Sequence, residues 1–229
     1  MKGPSKSFLH LLALLSLKVM VVSLLFLICL FTFNKIRVDV LIDRDTNFDV
    51  MIFTWVDQFT TPEMTRFMRM VTFFGSSEYF MVVPPLLAIV FFFYSSMRWH
   101  AFRVLVITTS TSLLHMILKL NFQRVRPPQA LLVYSGYGFP SGHAMISGAF
   151  YGLLIYLVWV TGTGRKWRWF FTCFFTLLVL VIGLSRIYLK VHYATDVVAG
   201  FAVGLLWLLL AIYILKKMEK LYQKATNGK

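Results

Sequence analysis

Six long apolar runs govern what this chain can fold into. They lie near residues 9–33, 78–96, 100–122, 142–162, 168–187 and 193–215. About 20 apolar residues suffice to carry a helix across the hydrocarbon core of a bilayer. The sequence therefore predicts an all-α integral membrane bundle of about six transmembrane helices, with a partly helical extracytoplasmic first loop. Composition agrees: 59% of residues are hydrophobic and 14% charged, too few charges to cover a soluble surface. A length of 229 residues fits one domain.

The net charge is +14. On a soluble protein this would point to nucleic acid. Among apolar spans it points to anionic lipid and an anionic substrate, so no nucleic-acid partner is expected. Cys29 and Cys173 both sit inside apolar runs, with no spacing for a disulfide or a zinc site. The first run is followed by Phe33, Asn34 and Lys35 instead of a small-residue cleavage site, and reads as a retained anchor. Pro84 and Pro85 interrupt the second run and predict a kinked or short helix.

Residues 35–77 are mixed in character, with Asp39, Asp43, Asp45, Asp49, Asp57 and Glu63 among aromatics such as Phe48, Phe53, Trp55 and Phe59. Short interfacial helices are expected there, acting as a connecting cap or as a lid. Lys and Arg divide almost evenly between the two sides, twelve against ten. Lys2, Lys6 and the lysines from Lys216 to Lys229 fall on one side, whereas the first outer loop carries seven carboxylates with Glu78. Both termini are accordingly placed in the cytoplasm of a multi-pass cell-membrane protein. The bases on the outer side then need another reason to be there.

That reason lies in the second half of the chain. Between Glu78 and Glu219 the single acid is Asp196, four residues after His192. Positions four apart share a helix face, so the carboxylate can orient the imidazole and fix its tautomer. The third run ends with Lys119 and, seven residues on, Arg126-Pro127. The fourth begins Pro140-Ser141-Gly142-His143, and the fifth ends with Ser185-Arg186. Alternating crossings bring all these ends to one face. Lys119, Arg126 and Arg186 can then converge on an anion, with Gly142 allowing close backbone approach at a helix start. Two histidines flank that cradle, one suited to attack phosphorus and one to protonate a leaving oxygen. No acidic cluster holds magnesium and no Cys/His spacing suits zinc, so no metal or other cofactor is expected. Arg124 reads as a loop or headgroup contact, His115 as packing, and Lys190 as an interfacial side chain reaching for headgroups.

Lys119 and Arg126-Pro127, then Pro140-Ser141-Gly142-His143, then Ser185-Arg186 with His192 and Asp196, together resemble the three-part signature of the type 2 phosphatidic acid phosphatase family. The resemblance covers about residues 100–215. Size, span number and the long first outer loop resemble its bacterial phosphatidylglycerophosphatase B branch. The resemblance implies that His192 attacks phosphorus and becomes a phosphohistidine, that Asp196 orients it, and that His143 is the acid for the leaving alcohol. It also implies that Lys119, Arg126, Arg186, Ser141 and Gly142 bind phosphate, on the extracytoplasmic side. The expected activity is metal-independent hydrolysis of phosphatidylglycerol phosphate to phosphatidylglycerol. Undecaprenyl diphosphate is the alternative substrate, and a non-enzymatic anion or lipid transporter is the remote alternative. Oligomeric state is not addressed by the sequence.

Overall fold

Helix-terminating signals set where the chain turns. The computed structural model describes residues 6–132 and 135–227. Lys2 and Lys229 lie outside the described residues. The helices are α1 (Lys6–Leu41), α2 (Asn47–Asp57), α3 (Pro62–Phe73), α4 (Ser77–Phe93), α5 (Arg98–Phe122), α6 (Gly142–Val160), α7 (Arg165–Tyr188) and α8 (Ala194–Asn227). A single 3₁₀ turn, Ser95–Met97, leads into α5. Thr61 caps α3 by accepting the Met64 N–H at 3.2 Å, with Pro62 at the first helical position. Ser76 caps α4 in the same way, through Tyr79 N–H. Helix α5 stops at Gln123, which turns left-handed at φ 47°.

Among the described residues, five helices are long and apolar enough to cross a membrane. The count reaches six when α3 and α4 are taken as one bent span. One detail differs from the sequence expectation, and the short α4, 17 residues long, agrees with it. Helix α1 runs past residue 33 to Leu41, carrying Lys35, Arg37 and Asp39 within the helix. Pro84 and Pro85 remain inside α4, which packs along α5; packing against a neighbour lets a helix tolerate the lost donors. A bend of 42° separates α3 from α4, between Phe73 and Ser77. Residues 35–77 do form two short helices, α2 and α3, as the mixed polarity suggests.

Helix α6 is the centre of the bundle and packs on α5, α7 and α8. Its faces bury Phe150 and Leu153 against Val104 and Ile107 of α5, Ile182 of α7 and Leu208 of α8. Helices α6 and α8 approach backbone to backbone at Gly200 and Gly204. A β-carbon at Gly204 would lie 2.5 Å from the Met145 carbonyl oxygen, and one at Gly200 only 2.6 Å from that of Ser141. Two glycines four apart make a flat face of this kind, common where membrane helices pack closely. This contact fixes the start of α8 beside the start of α6, and the hydrogen bond from Ser141 N–H to the Asp196 carbonyl, 2.9 Å, ties the two ends together.

Candidate functional site

Four segments that are distant in sequence end at one small cavity. Helix α5 supplies His115 and Lys119, the strand of chain after it Arg126, the start of α6 Gly142 and His143, and the end of α7 Arg186. The loop between α7 and α8 adds His192. Gly75 and Ser77, at the α3–α4 bend, close another side. The cavity has a volume of about 170 Å³. A water occupies ~30 Å³ of liquid, so the space suits a phosphate-sized headgroup and not a pair of acyl tails. Six of the eight expected residues border it. Ser141 and Asp196 do not; both are fully buried behind the wall. Ser141 Oγ has no hydrogen-bond partner there.

Neutral groups anchor two of the cations, Arg126 and Arg186. The Arg186 side chain is fully buried and donates from Nη1 to Thr72 Oγ1 of α3 at 2.6 Å. Arg126 donates from Nε to the Gly136 carbonyl at 3.0 Å and from Nη1 to the Val191 carbonyl at 2.8 Å. Neutral partners of this kind orient a guanidinium without themselves cancelling its charge.

Arg126 also fixes the tautomer of His192. Its Nη1 lies 3.2 Å from His192 Nε2. A guanidinium can only donate, so Nε2 is the unprotonated nitrogen and carries its lone pair toward the cations. The proton of the neutral ring sits on Nδ1, which faces Asp196 Oδ2 at 3.5 Å. That separation is a contact and not a hydrogen bond, since Nδ1 has no partner within bonding geometry. The Gly138 carbonyl also reaches the ring. Burial, reinforced by Arg126, Arg186 and Lys119, holds the His192 pKa well below the usual histidine value. The imidazole is therefore neutral and nucleophilic around pH 7.

Asp196 makes its shorter bonds elsewhere. Oδ1 accepts from Arg124 Nη1 at 2.5 Å and Oδ2 from Tyr193 N–H at 3.1 Å. Arg124 is thus no headgroup contact. Its Nη2 donates to Asp49 Oδ2 of α2 at 2.9 Å, and Nη1 also to Thr195 Oγ1 at 2.8 Å. Lys190 likewise pairs with Asp57, at 2.6 Å, where a free interfacial side chain was expected. Sequence spacing offered no signal for Asp49, Thr72 or Arg124, because each meets its partner across 71 to 114 positions. His115 does more than pack between helices: it lines the cavity, and its ring lies so close to Gly142 that a β-carbon there would come within 2.6 Å.

Known proteins resemble this chain in sequence and in fold. Residues 100–220 match the PAP2 superfamily. Phosphatidylglycerophosphatase B of Bacillus subtilis (strain 168) is 32% identical over 165 residues, covering 71% of this chain and 81% of the relative. Lipid A 4'-phosphatase of Bacteroides thetaiotaomicron is 36% identical over 112 residues, covering 44% of this chain and 46% of the relative. The crystal structure of a transmembrane PAP2-type phosphatidylglycerolphosphate phosphatase from Bacillus subtilis superposes with a TM-score of 0.77 at 26% identity, over 84% of this chain and 96% of that one. LpxE from Aquifex aeolicus shares the fold, with a TM-score of 0.56 at 20% identity over 72% and 94% of the two chains. With its three motif segments gathered at one cavity and more than half its length matched, this multi-span membrane chain belongs to the PAP2 superfamily of phosphatases.

Proposed function

We propose that this protein hydrolyses phosphatidylglycerol phosphate to phosphatidylglycerol and inorganic phosphate, working on a lipid held in the bilayer. The observation that carries the reading is the meeting of Lys119, Arg126 and Arg186 with His143 and His192 around one phosphate-sized cavity. The substrate follows from the similarity to the Bacillus subtilis enzyme over most of both chains. The site lies at the end of the bundle shared with α2 and α3, and we place that end outside the cytoplasm, with both chain termini inside.

In the first step His192 Nε2 attacks phosphorus. A P–N bond forms, the bond from phosphorus to the lipid oxygen breaks, and His143 gives its proton to the departing alcohol. Lys119, Arg126 and Arg186 stabilise the negative charge on the equatorial oxygens, and Gly142 lets the backbone at the α6 start approach them. Asp196 favours the proton on Nδ1 and so offsets the positive charge that grows on the ring. In the second step His143 takes a proton from water, whose oxygen attacks phosphorus. The P–N bond breaks, phosphate leaves and His192 is restored. Ser141, at the N-cap position of α6, supports the cradle through the backbone it anchors. The charge facing the substrate comes from Lys and Arg, and we expect turnover without a metal.

The test is phosphate release by purified protein in detergent with chelator present, using phosphatidylglycerol phosphate and undecaprenyl diphosphate. Turnover of the first that His192→Ala abolishes is expected. No release by folded protein overturns the activity, and faster release from the second lipid overturns the substrate.

A further inference from the structure

Asp49 and Arg124 belong to none of the three motif segments, yet with Thr195 they form a densely bonded polar cluster beside the site. Asp49 is fully buried although it lies on α2, a helix whose other face is open: Val50, Met51 and Trp55 are all more than half exposed. Its carboxylate accepts three hydrogen bonds. Oδ1 takes Thr195 N–H at 2.9 Å, and Oδ2 takes Thr195 Oγ1 at 2.7 Å and Arg124 Nη2 at 2.9 Å, the last also an ion pair. Arg124 in turn lies with its guanidinium carbon 4.2 Å from the Tyr193 ring centre, so its plane is fixed on that side too. The other end of the same guanidinium holds Asp196 Oδ1. With Oδ1 taken by Arg124, rotation of the Asp196 carboxylate is blocked and Oδ2 stays aimed at His192 Nδ1.

The charge arithmetic matters as much as the geometry. Two fully buried carboxylates share one guanidinium. A guanidinium devoted to Asp196 alone would neutralise it and weaken its pull on the Nδ1 proton. Asp49 draws off part of that positive charge, so Asp196 keeps negative character facing His192.

We propose that Arg124, gripped by Asp49 of α2, is a positioning residue that sets the Asp196 carboxylate against His192, and that Asp49 acts through Arg124. The outer segment of residues 35–77 is then wired to the reacting histidine and is more than a cap. The kinetic part of this inference rests on the phosphatase reading above; the geometric part does not.

The experiment uses the full chain in detergent with phosphatidylglycerol phosphate. It compares Arg124→Met, Arg124→Lys, Asp49→Asn and the double variant Asp49→Asn/Arg124→Met. Arg124→Met is expected to lower kcat about 100-fold while KM and inhibition by inorganic phosphate stay within about threefold, because the cradle of Lys119, Arg126 and Arg186 is untouched. Arg124→Lys is expected to recover roughly a tenth of the lost rate, since it keeps the charge but not the fork that spans two carboxylates. Asp49→Asn alone should cost about tenfold, but less than about twofold when Arg124 is already Met. A kcat within threefold of wild type for Arg124→Met, a loss carried in KM, or losses that multiply in the double variant overturn the proposal. If Arg124→Met does not fold, Asp49→Asn and Arg124→Lys carry the same test, and kcat within twofold in both overturns it. A readout that needs no turnover separates the two readings: ¹⁵N-histidine NMR of His192 should show the Nδ1–H neutral tautomer in wild type and a changed ring pattern in Arg124→Met and Asp49→Asn. An unchanged ring in both variants refutes the positioning role. A changed ring in protein whose wild type releases no phosphate from any lipid refutes the phosphatase reading alone.

Discussion

Replacing Gly200 by Ala adds one β-carbon at one of the two backbone approaches of α8 to α6. That carbon would sit 2.6 Å from the Ser141 carbonyl oxygen and 3.1 Å from Ala144 Cβ, where ordinary contact begins at 3.4 Å. The obstacle is backbone, so it cannot swing aside; the helices must part by about 0.8 Å at this level. The consequence is local to the chemistry, because Ser141 N–H is bonded to the Asp196 carbonyl and the next two residues, Gly142 and His143, line the cavity. A misplacement on the order of 1 Å costs roughly 100-fold in rate when reacting groups must be held in register. Overpacking itself costs about 1–3 kcal/mol. Gly200→Ala should therefore lower kcat about 30- to 100-fold and reduce thermal stability measurably in the same detergent. Gly148→Ala is the matched control: its β-carbon would lie 3.5 Å from the Phe201 ring, an ordinary contact. It should leave kcat and melting within error of wild type. Equal behaviour of the two variants, in phosphate-release kinetics and in melting followed by circular dichroism, would refute the claim that backbone contact between α6 and α8 sets the site.

Other tests follow from individual side chains. Arg186→Lys keeps charge but loses the fork that reaches Thr72 Oγ1 at 2.6 Å, and should lower kcat/KM by at least about 100-fold, whereas Thr72→Val should cost about tenfold in the same assay. His143→Ala should lose about 1,000-fold on a lipid phosphate but far less on an aryl phosphate, whose leaving group departs without a proton; equal losses on both would remove the acid role. His192 gives a pH test of stability. Burial and then Arg126, Arg186 and Lys119 hold its folded pKa well below 6.5, so below pH 6.5 the unfolded chain takes up a proton that the folded chain does not. Its contribution is therefore destabilising as pH falls through 6.5, and absent above. The melting temperature of wild type should drop more between pH 7.5 and 5.5 than that of His192→Gln; equal drops would contradict the depressed pKa.

What could be read in the sequence was what is written locally along it. Helices announced themselves as apolar runs, and the residues that line the cavity stand at helix ends, within a few positions of a proline, a glycine or another motif residue. Lys119 and Arg126 are seven positions apart and His192 and Asp196 four, close enough along the chain to be read together although α5 ends at Phe122 and α8 begins at Ala194, so neither pair lies within one helix. Span limits were less legible, because α1 continues through Lys35, Arg37 and Asp39, polar residues that end an apolar run without ending a helix. The proline pair was legible as a short helix, for α4 has only 17 residues. Pro84 removes a helix bond, but it is buried in the bundle, and packing of α4 on α5 retains the helix through it. Hidden altogether was the support behind the site. Asp49 looked like one of six acids in a polar loop, and Arg124 like a spare base beside Arg126. Their partners lie 75 and 72 positions away, a separation at which spacing carries no helical phase. Only burial distinguishes Asp49 from its neighbours: it is fully enclosed while Asp39, Asp43, Asp45 and Asp57 are not. A buried carboxylate stays charged only beside a cation and donors that repay its lost hydration. The one acid of the outer segment that is enclosed in this way meets a guanidinium that also holds Asp196, which is why the proposed link from that segment to His192 runs through Asp49 and not through its exposed acids.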